Sequence, residues 1–216
     1  MVGLSRSRSE ADEHEACDVA DREAVEAAAA RVLARHPHID LVVNNAGVGA
    51  RASFLDAAHE RIEQVIRVNY LGSVWTTLAF LPGLGPGSHV VNVVSVAGTV
   101  VMPPSGPYGA SKHAQLAFSR ATAAQLRGRG VRVHSVLPGF AETEGFPQRG
   151  VLPKHLEWTI IGPERIARSI LGAVEHDRRE SYVPWWYRPV AWLQALVPSL
   201  VARVLARGTY GGPGAA

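Results

Sequence analysis

Cysteine is almost absent. Cys17 stands alone in 216 residues, which excludes an internal disulfide framework and fits a reducing, cytoplasmic setting. The opening MVGLSRSRSEADEHEA has no apolar core of signal-peptide length, so secretion is not expected. No uninterrupted apolar run reaches the roughly 18 residues that a spanning helix needs. The nearest approach, VAWLQALVPSLVARVLA, is broken by Gln194, Pro198 and Arg203. No long Lys/Arg block exists and the net charge is only +3, so nucleic acid is not an expected partner. No G-x-S-x-G elbow is present, which argues against a hydrolase. His36 and His38 lack further ligands at helix or finger spacing, so a metal centre is not expected. A G-x-G-x-x-G turn is missing too. Residues 81–88, LPGLGPGS, space their glycines wrongly for it, follow a helical pattern, and read as a helix-to-strand connection.

What remains is ordinary globular composition, 47% hydrophobic and 19% charged, in a length suited to one α/β domain with a sizeable core. Apolar β-branched runs alternate with helical patterns. VGLS, DLVVNNAG, HVVNVVS, VRVHSVLPG and SYVP read as strands. Residues 21–36, 56–81, 106–130 and 162–176 read as helices, the first with acidic residues early and arginines late, as the helix dipole favours. Strands apolar on both faces and alternating with helices imply a doubly wound, mostly parallel Rossmann-like α/β sheet. No internal repeat or second domain is evident. Residues 1–184 form the expected domain, and residues 185–216 an aromatic, amphipathic helical extension ending in a tail, GTYGGPGAA, expected to be disordered.

In such sheets ligands bind beyond the carboxyl ends of the strands. Polar clusters stand at three of those ends: NNAG, Ser95, and PGFAET. On the following helix Tyr108 and Lys112 lie at i and i+4, on one face. A free phenol has a pKa of about 10, and lowering it by three units needs roughly 4 kcal/mol. One ammonium about 4 Å away, at an effective dielectric near 20, supplies about that much. Such a tyrosine could exchange a proton with an alcohol or ketone. Taken alone, the pair is also what chance places on a surface helix. Its surroundings favour chemistry. Ser95 precedes Tyr108 by thirteen residues at a strand end, either as a turn hydroxyl or as a holder of the substrate oxygen. Asn69, in VNYLG, is either a helix-bend amide or the anchor of a water near Lys112.

The motifs NNAG, VNYLG, VVSVAG, PYGASK and LPGFAET stand in the order and spacing of the short-chain dehydrogenases/reductases, and the chain resembles that family from about residue 18 to residue 183. The resemblance implies a catalytic tetrad of Asn69, Ser95, Tyr108 and Lys112. Tyr108 is then the acid/base, Ser95 orients the carbonyl or alcohol, Lys112 lowers the tyrosine pKa and holds the nicotinamide ribose, and Asn69 anchors a relay water. Asn45, Ala46 and Gly47 correspond to the stretch passing the adenine ribose, whereas Asn44 ties adjacent strands together. Asp18 resembles the residue that touches the adenine amino group, with an N-terminal helix cap as the alternative reading. Pro138, Gly139 and Thr143 match the segment that holds the carboxamide. Arg6 and Arg8 stand where the family often receives the 2′-phosphate, so NADP is favoured over NAD, with solvated surface charge as the alternative.

The family opens on a strand and a glycine-rich turn that nothing here matches. VGLSRSR resembles its second strand, because CDV follows where the third should end. The expectation is an N-terminally truncated member whose missing strand would lie between VGLS and LVVNNAG, leaving ladder groups and apolar surface exposed. The turn's amides and helix N-terminus normally cradle the pyrophosphate. Two charge-assisted hydrogen bonds and the dipole together approach about 5 kcal/mol, more than a thousandfold in affinity.

Leu193, Leu196, Val197, Leu200, Val201, Val204 and Leu205 recur at three- and four-residue steps, with Pro198 expected to break or kink the helix. This helix packs on its own domain, contacts another subunit, or lies on a membrane surface, the last supported by Trp185, Trp186, Trp192, Arg203 and Arg207. Residues 140–161, with Phe146, Leu152 and Trp158, are expected to cover a hydrophobic alcohol or ketone. Family resemblance implies a homodimer or homotetramer. The main reading is an NAD(P)-dependent oxidoreductase. Its rivals are a binding protein that kept the site but lost cofactor affinity, and a peripheral membrane or assembly subunit.

Overall fold

The computed structural model describes residues 1–7, 11–50, 52–101, 105–143, 146–150, 152, 154–201 and 203. Arg8 and the final residues 204–216, including Val204, Leu205 and Arg207, lie outside the described residues. In chain order the elements are β1 (Val2–Ser5), β2 (Glu13–Ala16), α1 (Arg22–Arg35), β3 (Leu41–Asn44), α2 (His59–Ile66), α3 (Gly72–Phe80), β4 (His89–Val93), α4 (Gly106–Leu126), β5 (Arg132–Pro138), α5 (Pro163–Glu175), β6 (Glu180–Val183) and α6 (Tyr187–Leu196). All strand pairing is parallel. The strands fall into two groups, β1 with β2, and β3-β4-β5-β6 in that order.

The sequence reading holds for each β-branched strand and each helix. β2 was not read as a strand, because EHEA carries no β-branched residue. It is held instead by its ladder to β1 and by ion pairs to α1, Glu15 with Arg31 and Arg35, each at 2.8 Å, and Glu13 with Arg35 at 3.1 Å. The cap of α1 is Asp21, whose carboxylate accepts from the Glu23 and Ala24 amides. The capping alternative considered for Asp18 therefore belongs to its neighbour. α4 runs into a short 3-10 turn and ends at Gly130, whose φ of 71° only glycine adopts without strain.

Two apolar layers sandwich the larger sheet. On one face α1, α3 and α4 cover Val42, Val90 and Val133 with Ala29, Val32, Phe80 and Leu126. On the other, α5 covers Val91, Val93, Val136 and Val183 with Ile166 and Ala173. This second layer stops short of β3, where Leu41 and Val43 stay 39% and 40% exposed. Val2 and Leu4 of β1 join the first core without a hydrogen-bonded ladder to β3 among the described residues. Ladder edges and apolar surface are thus open where the sequence reading places them.

A buried polar chain fixes strand register inside this core. The Asn44 amide donates to Asn92 Oδ1 and Thr77 Oγ1, both at 2.9 Å, as its strand-tying role requires. Asn92 in turn donates to Ser119 Oγ, which meets Ser135 Oγ at 2.8 Å. Each group is satisfied, so burial costs little and alternative registers, which would orphan them, cost more.

Candidate active site

The carboxyl ends of β3, β4 and β5 and the first turns of α4 carry the candidate residues. Ser95 stands two residues past the end of β4 and caps the short 3-10 turn Val96–Gly98, accepting from the Ala97 amide at 3.1 Å and donating to the Pro138 carbonyl at 3.3 Å. That turn packs on the start of α4 so closely that a Cβ on Gly98 would lie 2.8 Å from the Lys112 carbonyl. Contact at this distance sets the turn that carries Ser95 against the helix that carries Tyr108. The turn-hydroxyl reading of Ser95 matches its two hydrogen bonds.

Lys112 is buried in the middle of α4, 4% exposed. Its Nζ donates to the Val93 carbonyl at 3.0 Å and to Gln115 Oε1 at 2.8 Å. An ammonium has three N–H groups, and the third is left toward the space over Gly47, where a Cβ would sit 3.8 Å from Nζ. Nζ lies 5.9 Å from the Tyr108 ring centre. Burial pushes the lysine down to about 7. It also pushes the Tyr108 phenol up, with the nearby Ser95 hydroxyl opposing. This differs from the sequence reading, in which the ammonium lowers the phenol. Desolvation outweighs the cation here, and the cation is itself half discharged at neutral pH.

Asn69 sits fully buried in one turn of π-helix, Arg67–Leu71, between α2 and α3. Its Oδ1 accepts from the Val48 amide at 2.8 Å, and its Nδ2 donates to the Val48 carbonyl at 3.0 Å and to Ser111 Oγ at 2.9 Å. The helix-bend reading therefore holds: the side chain staples the strand-end loop to α4. The same staple holds Asn45, Ala46 and Gly47, all exposed, along the cleft rim. Asp18 is exposed; its carboxylate accepts from the Ala20 amide at 2.9 Å and its carbonyl from the Asp21 amide at 3.0 Å. The turn after it packs Val19 against Gly72, three residues past Asn69. Arg6 follows β1, exposed and free of ion pairs among the described residues. Pro138 ends β5, and Gly139 is required because a Cβ there would lie 2.2 Å from the Tyr187 ring. Thr143 is exposed in a bridge to Phe146, with no contact placing it against Ser95, Tyr108 or Lys112.

The sequence reading missed Gln115, Ser111 and the position of Phe146. The signal for the first two was available. Ser111, Lys112, Gln115, Ser119 and Thr122 form a polar stripe on the buried face of α4, where an amphipathic helix would carry aliphatic residues. Phe146 lies 5.6 Å from the Tyr108 ring, centre to centre, and fills the space over Gly49. That contact spans the fold, so no local pattern announces it.

A parallel α/β sheet with a buried lysine, a phenol and a hydroxyl gathered at its strand ends defines a nucleotide-cofactor type of cleft. The comparisons narrow the class. Residues 5–150 match the family described as short chain dehydrogenase. The chain is 37% identical over 180 residues to probable oxidoreductase EphD of Mycobacterium tuberculosis, covering 74% of this chain and 30% of that protein. It is 32% identical over 201 residues to dehydrogenase/reductase SDR family member 7B of Danio rerio, covering 88% and 64%. Among solved structures it resembles a short chain dehydrogenase from Burkholderia cenocepacia in complex with NADP, at 29% identity and a TM-score of 0.77, covering 89% of this chain and 78% of that one. The chain belongs to the short-chain dehydrogenase/reductase family. It spans less than two thirds of the length of these curated relatives.

Proposed function

We propose that this chain moves a hydride between a nicotinamide cofactor and a carbonyl or secondary alcohol on a hydrophobic substrate. The observation that carries the reading is the grouping of Ser95, Tyr108 and Lys112 where the turn after β4 packs on α4, with the lysine buried and one N–H left over. The cofactor supplies the hydride acceptor or donor when bound. Ser95 orients the substrate oxygen, and Tyr108 gives or takes the proton at that oxygen. A substrate oxygen accepting from both hydroxyls favours the charged alkoxide-like state over the free alcohol.

The residues present fit much of a dinucleotide. Lys112 has a donor free for a ribose hydroxyl, and Asn45, Ala46 and Gly47 offer an open backbone rim. Asp18 keeps carboxylate capacity for an amino group. Arg6 follows β1, whose last carbonyl, Ser5 O, accepts from the Cys17 amide at 3.1 Å, and it has no ion pair among the described residues. Its bidentate guanidinium supports NADP over NAD. Family likeness makes Pro138, Gly139 and Thr143 the candidates to hold the carboxamide. The pyrophosphate fits less well, because no glycine-rich turn stands among the described residues. That observation supports the second reading, a site that binds cofactor weakly and turns over little. Phe146 over Tyr108 supports an apolar substrate, and assembly as a homodimer or homotetramer follows from family likeness alone.

Titration of NADPH and NADH by fluorescence separates the two readings. Saturable binding with NADPH tighter supports the first, and no binding of either supports the second. With turnover in hand, Tyr108→Phe is expected to lower it by a factor of about a hundred or more while cofactor affinity stays within about twofold. Unchanged turnover would remove Tyr108 from the chemistry.

A further inference from the structure

We propose that α6 and the aromatic turn before it form a docking surface for an anionic lipid bilayer. The helix has an inner side, marked by buried Ala191 and half-buried Tyr187 and Gln194. At about 100° per residue the positions Val190, Trp192, Leu193 and Leu196 fall on one arc of roughly 160°, with exposed Arg188 and Ala195 beside it. That arc is apolar throughout: Val190, Trp192, Leu193, Leu196 and Val197 are between 38% and 79% exposed. Trp185 and Trp158 extend it, at 73% and 70% exposed, and Leu200 continues it past Pro198. A contiguous patch of this kind marks an interface.

Charge selects the occupant. No Asp or Glu follows Glu180, and Glu180 is itself bound to Arg120 at 2.7 Å. Arg188 lies over the Trp192 ring at 4.9 Å, Arg165 lies over Trp186 at 5.9 Å, and Arg203 follows one turn beyond. A second copy laid on this helix would bring arginine to arginine with no carboxylate on α6 to answer it. A layer of phosphate headgroups over acyl chains answers both the cations and the apolar arc, and indole rings favour that boundary. No described helix is long and apolar enough to cross a membrane, so α6 lies in the interface plane.

The surface adjoins the cleft. Trp158 belongs to the segment whose Phe146 meets the Tyr108 ring, and it packs against Trp186 at 5.9 Å, while Tyr187 packs on Gly139. Docking itself does not depend on the oxidoreductase reading.

The test uses the full chain and sedimentable vesicles, one set of phosphatidylcholine and one containing about one-third phosphatidylglycerol. The expected result is co-sedimentation with the anionic vesicles, a blue shift of tryptophan emission, and weakening by salt. Leu193→Ser with Leu196→Ser should lower the partition coefficient about tenfold or more. Arg188→Gln should lower it about fivefold, on anionic vesicles only. Leu193 and Leu196 are exposed and Arg188 lies over Trp192, and unchanged circular dichroism melts would show that the variants stay folded. The proposal is overturned if the protein stays in solution with both vesicle sets, or if the leucine variant partitions as well as the parent. It is equally overturned if light scattering finds a dimer that the leucine variant disperses while vesicles capture nothing.

Discussion

Lys112 has to be a cation where the fold offers it almost no water. Two neutral acceptors, Val93 O and Gln115 Oε1, replace hydration, and they leave the amine near a pKa of about 7 against its ordinary 10.5. The folded state therefore binds fewer protons than the unfolded chain between about pH 7 and 10. In that window stability rises with pH, and the contribution is lost as pH falls to about 7. Lys112→Met removes the titration. Its thermal midpoint relative to the parent should be most favourable near pH 6 and fall steadily toward pH 9, where the parent keeps its hydrogen bonds and the variant leaves two acceptors unpaired, at a cost of about 1–3 kcal/mol. Parallel melting curves across that range would contradict the shifted lysine. The Tyr108–Lys112 pair was legible in the sequence because i and i+4 fix a shared face. The sign of the phenol's shift was not, since burial on all sides comes from elements distant in the chain.

At the scale of elements, the cleft depends on how closely the turn after β4 approaches α4. Gly98 sets that distance, with a Cβ there meeting the Lys112 carbonyl at 2.8 Å and Val94 Cγ1 at 2.9 Å. Both are parts that cannot swing aside. Gly98→Ala should cost about 1–3 kcal/mol through overpacking, and should displace Ser95 from Tyr108, lowering turnover more than cofactor affinity. Gly172→Ala, in the middle of α5 with nothing within 4 Å of the added carbon, should instead stabilise by up to about 1 kcal/mol and leave turnover unchanged. Equal melting shifts in the two variants would deny the packing account. The β-branched strands and dipole-matched helices were plain from sequence, because burial on both faces and helix periodicity leave local marks. β2 left none in its own residues, whereas the bend at Asn69 was legible in VNYLG though its π-helical form was not. β2 draws its stability from Arg31 and Arg35 of α1, and the π turn from an amide reaching Val48, both partners remote along the chain.

Across the whole molecule, the division into β1–β2 and β3–β6 determines how cooperatively the cofactor rim holds together. Asp18 and Arg6 stand on the smaller sheet, whereas Ser95 and Tyr108 stand on or beside the larger one, so a dinucleotide would bridge both. The expectation that ladder edges lie open between VGLS and LVVNNAG came from motif order, and the exposed Leu41 and Val43 accord with it. The motifs could not reveal what joins the halves instead. Leu4 and Cys17 pack with Val25 and Ala28 of α1 and with Trp75 and Ala79 of α3, so side chains rather than backbone ladders make the connection. Such a joint opens more readily than a continuous sheet, because no hydrogen-bonded strand has to be stripped away. Native-state hydrogen exchange should show the amides of β1 and β2 exchanging at least about tenfold faster than those of β4 and β5, with a weaker denaturant dependence. Added NADPH should narrow that gap, since a ligand touching both sheets stabilises the state in which they are joined. If all four strands instead exchange together without ligand, α1 and α3 already weld the sheets into one cooperative unit, and the rim is organised before any cofactor arrives.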